Sequence, residues 1–347
     1  MRRLLAGLVL VALAAAAAVA GAALWLDRHL STPRPFGAVG AEREIVVEPG
    51  ASSRAILERL EREGLIDSAL LARIYLSRGL GDPPLLAGEY RFVSPVSTRE
   101  ILRMLRAGEV VTHPVTVVEG LTLHETAEAL ARAGFGERTA LVAEFSDPRR
   151  IADLDSEAAS LEGYLFPDTY RFRRETPPAA IADALVAGFR RAWRARVAPA
   201  RPKGDERPQR ELVILASLVE KEAGLDGERP LVAAVYANRL RIGMGLYADP
   251  TIIYGLKLAG SWDGNLRRRD LESDSPWNTY RRAGLPPGPI CSPGAASLIA
   301  AARPAEVDFL YFVSRNDGSH VFAESLAEHN RNVEIWQRRY FRERRSR

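Results

Sequence analysis

The chain has 347 residues, enough for two or three modest domains with cores of their own, and its aliphatic content is that of a folded protein. A formal charge of +4 is carried almost wholly by arginine, with lysine only at 203, 221 and 257; no lysine-rich or aromatic-interleaved stripe is present, which excludes nucleic acid as a partner. Cys291 is the single cysteine and the five histidines lack metal-type spacing, so no disulfide, metal or cofactor is expected.

Arg2 and Arg3 precede an uncharged run from Leu4 to Leu26, 23 residues that rise about 34 Å as a helix, enough to cross a bilayer. Ala18 to Ala20 before Gly21 resembles a signal-peptidase site, but the apolar run is longer than a normal signal core, so an uncleaved anchor is expected over 1–30. The leading arginines favour the cytoplasmic side, which places everything after Asp27 outside the inner membrane. Pro33 and Pro35 then mark a stiff tether.

Sliding the sequence on itself by 70 residues reveals a repeat. The stretch from Ile45 to Gly50 matches Val115 to Gly120, Leu60 matches Leu130, Gly64 matches Gly134, and Leu71 matches Leu141. Each copy reads as strand, Gly turn, helix, Gly stop and further helix, over 44–85 and 114–148. Between them Gly88 to Phe92 predicts a strand, and Thr98 to Gly108 a helix capped by Thr98. The mixture predicts an α+β fold. In Leu161 to Phe172, Glu162 and Asp168 stand among aromatics around Pro167; Tyr164, Phe166 and Tyr170 suit a core better than a sugar platform. Helical spacing resumes from Pro177 to Val197, and Ala198 to Arg210 is expected as an exposed loop.

The stretch from Glu211 to Gly224 is the one strongly apolar helix that ends in two carboxylates. Leu212, Leu215, Ala216, Val219 and Ala223 recur at helical spacing, and Gly224 is suited to follow a helix end. Glu220 and Glu222 fall in the last turn, near the negative end of the helix dipole, where charge is disfavoured. Side chains lean back toward the preceding turn, so Glu222 covers Leu218 and Val219 whereas Glu220 covers Ala216 and Ser217. Glu222 has the drier seat and is the candidate general acid; Lys221 points to solvent. The plain alternative is a helix end with solvated glutamates.

Further on, Pro230 opens a helix through Arg241, and a short helix ends near Gly255. Leu271 to Pro289 is a long irregular run whose Trp277, Asn278, Thr279 and Tyr280 combine an aromatic platform with hydrogen-bonding groups, a mixture that suits a sugar. Cys291 reads as filler. A helix through Ala302, a hairpin turning at Asn316 to Gly318 and an amphipathic helix from Leu326 to Phe341 complete the chain, followed by a solvated Arg-rich tail. His320 and His329 are read as structural.

These residues together resemble the endolytic murein transglycosylases of the MltG (YceG-like) family. The carrying stretches are LEGYLFPDTY at 161–170, LASLVEKEAG at 215–224, ANRLRIGMGLYADPTIIYG at 237–255, NTYRRAGLPPGPICSPGAASL at 278–298 and LYFVSRNDGSHVFAESLAEHN at 310–330. With the amino-terminal apolar helix, the resemblance covers nearly the whole chain. It implies a single-pass inner-membrane protein with a LysM-like module over 44–112 and a catalytic domain over 113–345, the bulk facing the periplasm. The family's catalytic glutamate, second of the EKE triplet, falls on Glu222. Glu162 and Tyr254, with Asn278, Thr279 and Tyr280, are expected to line the glycan groove. Peptidoglycan strands are the expected partner, residues 4–26 the membrane contact, and cell-wall synthases candidate neighbours.

The implied chemistry is cleavage of the MurNAc–GlcNAc bond inside nascent strands, with one carboxyl acting first as acid and then as base. The sugar's own 6-hydroxyl attacks and leaves a 1,6-anhydroMurNAc end, terminating elongation. A two-carboxylate muramidase is the hydrolytic alternative, with Glu162, Asp168 or Asp249 as second acid. A non-enzymatic glycan-binding scaffold is the other.

Overall fold

The computed structural model describes residues 2–80, 84–340 and 342 as an α+β protein that divides into two compact units, Met1–His113 and Pro114–Arg347. In the first unit α1 (Arg2–Ser31) contains an apolar span long enough to cross a membrane, Gly7–Ser31, exposed up to Trp25 and with Leu26 and Leu30 buried at its end. The rest is β1 (Glu42–Val47), α2 (Ser53–Arg62), α3 (Ala69–Leu80), β2 (Gly88–Val93) and α4 (Thr98–Ala107). Strands β1 and β2 pair antiparallel, Glu42 opposite Val93 and Val47 opposite Gly88. The period of two turns Ile45, Val47, Tyr90 and Phe92 onto one face, where they meet Leu57, Leu60, Leu76 and Leu102. Ser97, not Thr98, caps α4: its backbone is extended and its hydroxyl accepts from the Glu100 amide at 3.1 Å. Thr98 is already inside the first turn and is buried.

The second unit opens with β3 (His113–Val117), α5 (Leu123–Arg132) and α6 (Arg138–Phe145), the same order as β1, α2 and α3. The likeness extends to left-handed glycines at the equivalent Gly64 and Gly134, each just past a helix end, where a side chain would be strained. The chain continues with β4 (Asp168–Phe172), which pairs with β3, and α7 (Pro178–Ala192). Next come α8 (Gln209–Glu222), α9 (Arg229–Arg241), α10 (Asp249–Leu258), the single turn α11 (Arg268–Leu271) and α12 (Ala295–Ala302). The hairpin of β5 (Tyr311–Ser314) and β6 (His320–Ala323) turns through left-handed Asn316 and Gly318. Helix α13 (Leu326–Val333) continues in wider, π-type turns to Arg339, and residues 343–347 of the Arg-rich tail lie outside the described residues.

Helix α8 occupies the middle of this unit, packed by α9, α10 and α12. Every residue from Leu212 to Val219 is buried, so the helix is enclosed on all sides rather than along one stripe. At about 1.5–3 kcal/mol for each large aliphatic side chain, this burial fixes the helix firmly enough to hold a strained group at its end. Tyr164, Phe166 and Tyr170 are core residues. The segment from 198 to 210 is largely exposed, as expected, but it is tied down. Asp205 pairs with Arg201 and Arg207, and the Arg207 guanidinium donates to the Ala301 and Ala302 carbonyls at the end of α12.

Candidate active site

The two glutamates of α8 meet different surroundings. Glu220 is enclosed, its side chain 6% exposed, but it is fully partnered: one oxygen accepts from Arg229 at 3.1 Å and the other from the Gly294 amide at 2.9 Å. Its setting is therefore a buried ion pair, a feature that its position over Ala216 and Ser217 does not disclose. Lys221 between them is exposed and donates to the Gly120 carbonyl at 3.1 Å.

Glu222 is partly buried and among the described residues no cation is bonded to it; the Tyr236 hydroxyl donates to Oε1 at 3.2 Å. Burial pushes its carboxyl up to about 7 and the charge on Asp249 adds to the rise, while Tyr236, His320 and Arg239 hold it down. A carboxyl so placed keeps a proton near neutrality and can give it up, which is what a general acid requires. The helix ends here because the hairpin closes over it. A Cβ on Gly224 would lie 2.7 Å from the Gly318 carbonyl oxygen, so only glycine admits that approach.

Around Glu222 the elements contribute one group each or a pair. Helix α9 supplies Tyr236 and Arg239, one turn apart and both buried. Arg239 donates to the Leu310 and Leu246 carbonyls and lies between the rings of Tyr247 and Tyr311, at 5.7 and 5.6 Å from their centroids. The start of α10 supplies Asp249, which accepts from the Tyr280 hydroxyl at 2.6 Å. The hairpin supplies His320, held by Glu228 at 2.7 Å and packed edge-on against Phe312. Tyr247 and Tyr280 form an exposed aromatic corner, ring centroids 5.4 Å apart, and Tyr247 is held at φ 52°, a left-handed conformation that costs an aromatic residue energy.

Asn278 and Thr279 sit beneath this corner, buried and turned inward. The Asn278 amide donates to the Leu271 and Ser273 carbonyls and its oxygen accepts from the Tyr280 amide; Thr279 Oγ1 meets the Ala248 amide and Thr251. Glu162 and Tyr254 lie apart from the Glu222 cluster. Both Glu162 oxygens accept from the Leu123 amide, a free donor in the first turn of α5, and Tyr254 donates to one of them at 3.1 Å. Burial pushes Glu162 up to about 8 against those donors. With Trp277, Arg210 and Pro289 it lines a cavity of about 280 Å³. Helix α10 links the two places, Asp249 in its first turn and Tyr254 about 7.5 Å further along the axis.

Sequence reasoning passed over Tyr236 and Arg239, although an arginine one turn from a tyrosine within the otherwise apolar stretch 232–236 was a usable signal. The sequence offers Asp249 only as a second acid. The bond of His320 to Glu228 is structural, as expected, but the hairpin also brings it within electrostatic reach of Glu222. Among the described residues no cluster of three or more His, Cys, Asp or Glu side chains has metal-binding geometry. Cys291 is buried filler, its thiol against the Ser217 carbonyl.

A model of the YceG-like family matches residues 45–335, which takes in this whole cluster and most of the first unit. The chain belongs to the YceG-like family. It is 31% identical over 306 residues to the endolytic murein transglycosylase of Bacillus subtilis, covering 84% of this chain and 83% of that protein. It is 29% identical to the endolytic murein transglycosylase of Streptococcus pneumoniae, where the match takes in 83% of this chain but 57% of that longer protein. A crystal structure of a YceG-like protein from Listeria monocytogenes superposes with a TM-score of 0.57 at 28% identity, over 84% of this chain and 98% of that one.

Proposed function

We propose that this YceG-like chain is an endolytic peptidoglycan lytic transglycosylase with Glu222 as its single acid and base. The carrying observation is the Glu222 carboxyl, which burial keeps protonated up to about pH 7 with a tyrosine hydroxyl fixed on one oxygen. The names of the curated relatives support the substrate and reaction class. With Oε1 held by Tyr236, Oε2 gives its proton to the oxygen between MurNAc and GlcNAc, and positive charge develops at the MurNAc C1. The carboxylate then removes the proton of the sugar's 6-hydroxyl, which closes the 1,6-anhydro ring. No water adds, and the tethered hydroxyl replaces a second nucleophile. Tyr247 and Tyr280 offer ring faces to the glycan, Asn278 and Thr279 hold that corner in place, and Glu162 with Tyr254 lines a neighbouring subsite.

We assign the reaction to growing strands at the inner membrane, with α1 as an uncleaved anchor over residues 4–26 and both units on its periplasmic side. In this reading residues 44–112 form a LysM-like module that orients the enzyme, residues 113–345 carry the chemistry, and cell-wall synthases are its neighbours. Termination of glycan elongation follows from cutting strands as they are made. Protease added to spheroplasts should reduce the protein to a small membrane stub; protection of the carboxy-terminal part overturns the topology.

A hydrolytic reading draws on one observation: Asp249 faces Glu222 closely enough to raise its pKa and is oriented by Tyr280. Mass analysis of digested glycan separates the two. A lytic product is about 18 Da lighter than the hydrolytic one, because the internal attack of the tethered hydroxyl takes the place of water. Glu222→Gln should lose at least about 10² to 10⁴ of activity, the range usual for general acid–base catalysis. Reducing MurNAc ends that vanish in Asp249→Asn would make the protein a muramidase. An active Glu222→Gln protein refutes both readings.

A further inference from the structure

The first unit has a second cavity, about 390 Å³, at the place where α1 meets α4. Its lining includes Ser31, Tyr75, Glu100 and three arginines, Arg99, Arg103 and Arg106. The arginines stand at i, i+4 and i+7 on α4 and so share one face. Two of them are compensated. Arg99 bonds Asp27 at 3.2 Å, and Arg103 lies between Glu100 at 2.8 Å and Glu109 at 2.5 Å. Arg106 is different: among the described residues no ion pair includes it, and its Nε is buried without a hydrogen-bond partner.

The position of this cavity along α1 indicates what could fill it. Leu26 and Leu30 are buried, so the end of α1 is docked on its own unit and cannot swing freely. Trp25 is exposed and stacks on His29, a ring of the kind that settles at the membrane–water interface. Ser31 lies six residues beyond Trp25, about 9 Å further along the axis. A bilayer of about 40–45 Å around a 30 Å apolar core leaves roughly 5–8 Å of headgroup on each side, so with Trp25 at the apolar boundary Ser31 lies at the outer edge of the headgroup layer, next to the lipid phosphates. A planar guanidinium fork matches phosphate oxygens better than any other side chain.

We propose that this cavity binds the phosphate of an anionic phospholipid, with Arg106 as the principal donor and Arg99 as the second. The proposal rests on the reading of α1 as a membrane anchor and adds a specific headgroup contact to it. Such a contact fixes the rotation of the unit about the anchor, not merely its distance from the membrane.

The test is native mass spectrometry of the full chain in neutral detergent, titrated with phosphatidylglycerol, phosphatidylcholine and inorganic phosphate at matched ionic strength. Wild type should retain phosphatidylglycerol at least tenfold more tightly than phosphatidylcholine. Arg106→Gln should lose at least tenfold in that affinity, Arg106→Lys should fall between because it keeps the charge without the fork, and Arg62→Gln, exposed on α2, should change nothing. Equal retention by wild type and both Arg106 variants overturns the proposal, as does an equal loss in Arg62→Gln, which would mean unspecific charge. Saturation by inorganic phosphate with no gain from the lipid assigns the site to free phosphate and also overturns it. Alkaline extraction of native membranes tests the anchor separately: a wild-type chain that washes off refutes the anchor, while the detergent titration still reports on Arg106.

Discussion

Glu222→Gln should make the protein more stable, and by an amount that depends on pH. The unfolded carboxyl ionises near 4.5 and the folded one near 7, because burial penalises the charged form. An acid whose folded pKa is raised destabilises the fold as pH rises through the unfolded value, and the cost is complete above the folded value. At about 1.4 kcal/mol per pH unit, the interval corresponds to about 3 kcal/mol at pH 8 but less than about 1 kcal/mol at pH 5. Glutamine keeps the shape without the charge, so the gain at pH 8 should exceed that at pH 5 by about 2 kcal/mol. For a unit of this size that is about 4–8 °C in melting temperature. Calorimetry of both proteins at the two pH values reads it directly. Glu162 also titrates in this window, near 8, but it is present in both proteins and cancels in the comparison. A melting shift that is equal at pH 5 and pH 8 would refute the account of Glu222 as a carboxyl strained by burial.

Glu220→Ala should behave in the opposite way, because it strands the Arg229 guanidinium: a loss of about 3–5 kcal/mol in urea unfolding, with turnover per folded molecule largely kept. Tyr236→Phe removes the donor that stabilises the Glu222 carboxylate, so the high-pH fall of kcat/KM should move upward by about one pH unit, the lower end of what a hydrogen bond to a charged group supplies; an unmoved limb would remove Tyr236 from the site. Asn278→Ala breaks the side-chain bonds that hold the aromatic corner and should lower both melting temperature and turnover, whereas Tyr280→Ala, 36% exposed, should lower turnover and leave the melting temperature nearly unchanged.

Patterns confined to one element were legible in the chain itself. The apolar run after Arg3 determines a long helix because nothing in it is polar enough to prefer a turn. The 70-residue repeat determines two like strand–helix–helix units, since the same spacing of Leu and Gly demands the same burial and the same left-handed stops. Glu222 stands out in the sequence because a carboxylate at the end of an apolar helix is costly whatever surrounds it. What surrounds it was decided by tertiary structure. Periodicity showed one apolar stripe on α8, but its other faces are buried too, because α9, α10 and α12 enclose them from distant parts of the sequence. Tyr236, Asp249, Tyr280 and His320 come from four separate elements, and no spacing rule connects them. The contrast between the two glutamates was decided there as well. Leaning over small residues does not leave Glu220 wet, because Arg229 arrives to neutralise it; Glu222 meets a tyrosine hydroxyl instead, and among the described residues no bonded cation. Burial acts through the sum of neighbours in space, and that sum exists only once the chain has folded.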